Sequence, residues 1–166
     1  YAPDGWDTLV KFLKKHNIPP SLAEKLGLVV KKQGGDGYYD RFRNRVIFPI
    51  RNVEGKVIGF GGRRIKESDE PKYINSPESE IYHKRKNFYG LDSSKDHIRK
   101  NKRAIIVEGY TDFLSLFSAG IKNVVATLGT SLTRDHVVTL RRYTDRIVVV
   151  FDGDESGVKA AVRSLD

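Results

Sequence analysis

R-A-I-I-V-E-G, residues 103–109, is an apolar run that ends on an acid and a glycine, and its reading decides the fold. A second run, R-I-V-V-V-F-D-G-D at 146–154, ends in the same way on Asp152 and Asp154. Runs that are short and apolar throughout predict strands buried on both faces, in the middle of a parallel sheet. Around them the pattern alternates: strand 103–108, helix 111–119, strand 123–127, helix 133–142, strand 146–151 and a helix from near Glu155. That order implies parallel strands with right-handed crossovers. In open α/β sheets ligands bind beyond the carboxyl ends of the strands, which is where Glu108, Asp152 and Asp154 fall. Acids gathered there repel one another and lose hydration, and a cation between them relieves both penalties. The expectation is a magnesium site built for phosphate chemistry.

Asp112 lies four residues after Glu108, in the first turn of the following helix, and can face the same mouth. Magnesium takes a few carboxylates together with substrate phosphates and water. Two such ions about 4 Å apart would activate a hydroxyl and stabilise a leaving pyrophosphate. The alternative is that Asp112 and Asp154 only cap helices. Three acids at two strand ends, with glycines beside them, are harder to explain as caps. G-T-S (129–131) precedes a helix that Thr133 would cap. Its backbone amides are a candidate phosphate cradle, or an ordinary strand-to-helix turn.

Residues 6–16 place Trp6, Leu9, Val10 and Leu13 at helical spacing, with Asp4 or Asp7 as cap. Ser21 to Leu26 reads as a short helix closed by Gly27. Extended segments follow at 28–32 and 38–51, and N-V-E-G (52–55) is a hairpin connection into 56–63. R-F-R-N-R (41–45) would put Arg41, Arg43 and Arg45 on one face of a strand. Arg63 and Arg64 end the next strand after G-F-G-G, whose glycines would admit a close backbone or nucleotide. Lys72 and H-K-R-K (83–86) extend the basic patch, suited to a nucleic-acid track or an incoming triphosphate. Phe42, Tyr73, Tyr82, Phe88 and Tyr89 are interleaved, more as core than as stacking platforms. S-S-K-D-H-I-R-K-N-K (93–102) reads as unpatterned and marks the boundary between a basic α+β part, 1–100, and an α/β part, 101–166.

Charge divides along the same line. Of a net +9, residues 1–102 hold 22 Lys and Arg against 13 Asp and Glu, while residues 103–166 hold 8 of each. One part is expected to hold a polyanion and the other to act on it. The chain of 166 residues has no cysteine, which excludes disulfides, a thiol nucleophile and cysteine-ligated zinc within it. It has no bilayer-length apolar run and no signal-peptide pattern, which suits a cytosolic protein, and its start on Tyr1 suits a piece of something longer. The four histidines are scattered without metal-like spacing and none is given a role. No G-x-S-x-G elbow appears, so serine-hydrolase chemistry has no support.

V-E-G-Y-T-D (107–112) and F-D-G-D-E-S-G (151–157) resemble the two acidic signatures of the toprim domain. Y-D-R-F-R-N-R-V-I-F-P-I, G-F-G-G-R, P-K-Y-I-N-S-P-E and Y-H-K-R-K-N-F-Y-G-L resemble the catalytic core of bacterial replicative DNA primases of the DnaG type. The resemblance implies an α+β amino-terminal subdomain followed by an α/β toprim-like subdomain that is incomplete at its end. It implies Glu108 as acid–base carboxylate and metal neighbour, Asp152 and Asp154 as the metal pair, and Asp112 in support. It implies Arg41, Arg43, Arg63, Lys72 and Lys84 as residues that bind template and nucleotide. The implied activity is synthesis of short RNA primers from ribonucleoside triphosphates on single-stranded DNA, with Mg2+ or Mn2+, in the bacterial cytoplasm. A replicative helicase would join through a domain outside this chain. The family's zinc-binding module and a further downstream acidic pair also fall outside it. A toprim nuclease or topoisomerase, and a non-catalytic single-stranded nucleic-acid-binding module, are the competing expectations.

Overall fold

The computed structural model describes residues 1–129 and 131–151. The chain divides into two compact units, one made of Tyr1–Pro49 with Ile58–Tyr82, the other of Ile50–Val57 with the chain from His83 onward.

In the first unit, helices α1 (Thr8–Lys15) and α2 (Pro20–Lys25) are followed by strands β1 (Val29–Lys31) and β2 (Tyr38–Asp40), paired antiparallel. Val10, Leu13, Ala23 and Val29 form their shared core. Strands β3 (Arg45–Arg51), β4 (Val57–Arg64) and β5 (Tyr73–Asn75) make a second sheet in that order. Ile50–Val57, the tip of the β3–β4 hairpin, groups with the second unit, where Lys95 Nζ donates to the Val53 carbonyl at 2.6 Å.

Two expectations fail at the start of this unit. Trp6 lies before the helix and is 65 % exposed. Asp7 sits at the N-cap without capping and instead pairs with Lys11 at 3.0 Å. The cap comes from β2: the amides of Leu9 and Val10 donate to the Asp40 carboxylate at 2.6 and 3.0 Å. Helix starts leave these amides unpaired, and a buried carboxylate from a neighbouring strand satisfies two of them. Asp40→Ala is expected to destabilise the protein by about 2–3 kcal/mol. The check is the urea midpoint together with exchange of the Leu9 and Val10 amides, and unchanged protection there would refute the cap.

The second unit begins with α3 (Leu91–Asn101), which corrects the reading of 93–102 as unpatterned linker. Its buried face is Leu91, Ser94 and Ile98, two helical turns carried by only two apolar side chains. Then come β6 (Ala104–Val107), α4 (Tyr110–Ser118), β7 (Val124–Ala126), α5 (Arg134–Leu140) and β8 (Ile147–Val149). The sheet is parallel in the order β7-β6-β8, with Ile105 opposite Val124 and Val148. Phe88, Leu91, Ile98, Ala104, Ile106, Val125 and Leu140 form the core on one face. Val107, Phe113, Val124 and Ala126 form the core on the other. This is the expected α+β part followed by a toprim-like parallel sheet. The expectation of a second fully buried run is corrected: Val148, Val149 and Val150 are 40, 36 and 50 % exposed, because β8 lies at the edge of the described sheet. The β7 flank is closed by Tyr89, whose amide donates to the Ala126 carbonyl at 2.9 Å and whose carbonyl accepts the Ala126 amide at 3.1 Å. The helix expected from near Glu155 lies outside the described residues.

Candidate functional site

In the second unit β6 runs out at Val107, and the half-buried Glu108 forms the turn into α4 with Gly109. Neighbouring chain fixes this turn. Thr127 N–H donates to the Val107 carbonyl at 3.1 Å and Gly129 N–H to the Glu108 carbonyl at 3.4 Å. Val150 N–H donates to the Ile106 carbonyl at 2.8 Å, so β8 runs alongside β6 toward the same mouth, and its register continues to bring Phe151 level with Glu108.

Asp112, in the first turn of α4, folds back so that Gly109 N–H donates to its Oδ2 at 2.9 Å. A Cβ on residue 109 would approach that oxygen to 3.2 Å. The capping alternative for Asp112 is thus realised, at the mouth where Glu108 sits. Asp152 and Asp154 lie outside the described residues, and among the described residues no three His, Cys, Asp or Glu are gathered to hold a metal. Glu108 and Asp112 are hard oxygen donors, the type that suits magnesium or manganese. Of the G-T-S segment, Thr130 is outside the described residues. Thr133 caps α5 as expected, its hydroxyl accepting from His136 N–H at 3.2 Å.

In the first unit the basic residues arrange themselves differently from the expectation. Residues 41–44 bend rather than extend, with Asn44 at φ 48°, so Arg41, Arg43 and Arg45 share no strand face. Arg45 turns inward: its guanidinium donates to the carbonyls of Gly62, Lys72 and Asp69, each at 3.4 Å. Burial lowers its pKa from the ordinary arginine value. Two glycines of G-F-G-G make room for interior side chains: a Cβ on Gly62 would meet Phe42 at 2.8 Å and Arg45 at 3.1 Å. At Gly59 it would meet the Tyr82 ring at 3.2 Å.

Arg41, Arg43 and Arg45 nevertheless line one open cavity of about 480 Å³, together with Trp6, Tyr39, Asp69 and Glu70. The Arg43 guanidinium lies 4.0 Å from the centroid of the exposed Trp6 ring, and Tyr39 meets that ring edge-on at 5.7 Å. The cavity's acids are occupied: Asp4 pairs with Lys66 at 3.1 Å, Glu70 pairs with Arg64, and Asp69 accepts from Asn44 Nδ2 at 2.6 Å. Among the described residues Arg41, Arg43, Arg63 and Lys72 have no carboxylate partner, and the buried Arg41 Nε has no hydrogen-bond partner. Arg63 and Lys72 flank Tyr73, each 6.0 Å from its ring centroid. Lys84 sits half-buried in the second unit. Of the interleaved aromatics, Phe42, Tyr82 and Phe88 are core as expected. Burial raises the Tyr82 hydroxyl well above its ordinary pKa, and does the same to Tyr89 to a lesser degree. Trp6 lines the cavity and His136 is buried beneath the Lys84–Asn87 turn, and the sequence pointed to neither place. The tryptophan fitted a helix stripe, and the histidine carried no signal beyond its third place after Thr133.

Residues 1–95 match the family model for the DNA primase catalytic core, N-terminal domain, and residues 102–166 match the toprim domain. The chain is 46 % identical over 168 residues to a DNA primase of Synechocystis sp., a match that takes in 99 % of this chain and 26 % of that protein. It therefore spans about a quarter of the length of the curated relatives it matches. A DNA primase domain from Pseudomonas aeruginosa has the same fold at TM-score 0.92 and 44 % identity, covering 99 % of this chain and 51 % of that one. A DnaG primase catalytic domain bound to ssDNA matches at TM-score 0.85 and 43 % identity, covering 99 % and 51 %.

Proposed function

The chain belongs to the DNA primase catalytic-core family, and from that premise we propose that it carries the centre that joins ribonucleotides into short RNA primers on single-stranded DNA. The observation that carries the reading is Glu108 at the carboxyl end of the central parallel strand, with β8 running parallel beside that strand. Glu108 and Asp112, with Asp152 and Asp154, are the residues that would hold Mg2+ or Mn2+. Such ions would supply charge neutralisation at the reacting phosphate. Glu108 accepts the proton of the attacking 3′ hydroxyl. The pyrophosphate of the incoming triphosphate leaves from the α-phosphorus as the new ester bond forms. Arg41, Arg43, Arg63, Lys72 and Lys84 hold template and triphosphate, supported by the absence, among the described residues, of carboxylate partners for the first four. The exposed Trp6 ring adds a surface on which a base can stack.

Single-stranded DNA, ribonucleoside triphosphates, the RNA primer and a replicative helicase are the proposed partners, within a bacterial replisome in the cytoplasm. Among the described residues no helix is long and apolar enough to cross a membrane. We place the division of labour near residue 100, a basic part at 1–100 and the acidic centre at 101–166. The two family models, which leave 96–101 between them, support that placement.

The test is primer synthesis by the full-length protein on an oligonucleotide template with magnesium and ribonucleotides. Complete absence of RNA product, with nicking or relaxation of a plasmid instead, would reject the proposal in favour of a toprim nuclease or topoisomerase. Within it, Arg63→Ala and Lys72→Ala are each expected to weaken single-stranded DNA binding uniformly across sequences. Each should lower the slope of log affinity against log salt by about 0.7, as read by fluorescence anisotropy.

A further inference from the structure

The start of α5 grips a segment distant in sequence. Thr133 Oγ1 donates to the Arg85 carbonyl at 2.6 Å, and Thr133 N–H donates to His136 Nδ1 at 3.2 Å. His136 Nε2 lies 3.1 Å from the Lys84 carbonyl and 3.2 Å from that of Asn87. Nδ1 is an acceptor here and both Nε2 neighbours are acceptors, so the ring proton sits on Nε2 and is shared between the two carbonyls. The imidazole is fully buried, with its centroid 4.5 Å from that of Phe88. Burial lowers its pKa, against the smaller opposing pull of the two carbonyls and Asp135, while Arg85 adds to the lowering. The ring is therefore neutral and its tautomer fixed.

The segment gripped in this way carries Lys84, Arg85 and Lys86, three consecutive cations. Arg85 and Lys86 are exposed and Lys84 is half-buried. Adjacent like charges repel, so a free loop with this composition spreads over many conformations. Drawing three carbonyls of residues 84–87 onto α5 fixes the backbone and occupies the oxygens that would repel an anion. We infer that His136 is a positioning residue, which with Thr133 holds the Lys84–Lys86 turn pre-ordered for a phosphate backbone, so that binding need not order the turn. This rests on the reading of the chain as an enzyme of single-stranded DNA.

The experiment measures binding of fluorescent single-stranded DNA to the full-length protein across a salt series. His136→Phe keeps a buried ring without the hydrogen bonds, and His136→Gln restores a donor at the ε position. His136→Phe is expected to weaken binding about tenfold and to lower the salt slope by about 0.7–1.4, one or two phosphates' worth. His136→Gln should recover most of both. In a Lys84→Gln, Arg85→Gln, Lys86→Gln background, His136→Phe should have no further effect. An earlier melt with unchanged slope, or an equal effect in the triple background, would overturn the inference and leave the histidine a packing residue. Should His136→Phe fail to fold, Thr133→Val carries the same expectation, and an unchanged slope there also overturns it. Wild-type protein that shows no salt-dependent binding would instead overturn the proposed function, so the two failures are distinguishable.

Discussion

Glu108→Gln in the full-length protein is expected to reduce primer synthesis by at least about 10²-fold while its melting temperature stays unchanged. Glutamine has nearly the same shape, so the strand-to-helix turn and the bond from Gly129 N–H to the residue 108 carbonyl are retained. What is lost is a charge and a proton acceptor. Glu108 stands half-buried where the central strand ends, a place at which a fixed charge acts through little water and is correspondingly strong. Single-turnover extension of a preformed primer isolates the chemical step from template binding. A rate within a few-fold of wild type would remove Glu108 from the catalytic centre.

Gly90→Ala is expected to be among the most destabilising single changes in the second unit, at about 3–5 kcal/mol. Gly90 has φ 80° and ψ 2°, a left-handed conformation in which an L side chain is strained. Its added methyl carbon would also lie 2.1 Å from Phe113 Cε2 and 2.3 Å from Cζ. Phe113 cannot yield easily. It is 5 % exposed, it packs with Val107, Val124 and Ala126, and Tyr89 meets its ring edge-on at 5.1 Å. Because Phe113 follows Asp112 on α4, the strain is delivered next to the acidic mouth, and primer synthesis should fall with stability. Denaturation by urea and by heat checks this, and an unchanged midpoint would mean that the ring has room that the packing does not show.

What was legible in the sequence was whatever local chemistry decides. The strand at 104–107 announced itself because four apolar residues stop at an acid and a glycine, and the helix after it because the segments between the apolar runs alternate with them. The place of Glu108 at the end of that strand followed from the same ending. The missed features were set by partners far along the chain. α3 carries only Leu91 and Ile98 as buried apolar residues, and its remaining surface is charged, so no stripe was visible. The three arginines of 41–45 alternated on paper, but a left-handed Asn44 bends the segment and a ring of carbonyls draws Arg45 inside. Asp40 looked like an ordinary strand residue until the amides it serves appeared thirty positions earlier.

The backbone clasp between Tyr89 and Ala126 makes growth of the parallel sheet directional. With that flank already occupied, the margin left among the described residues for an extending strand, from this polypeptide or from a neighbour, is β8 on the opposite side.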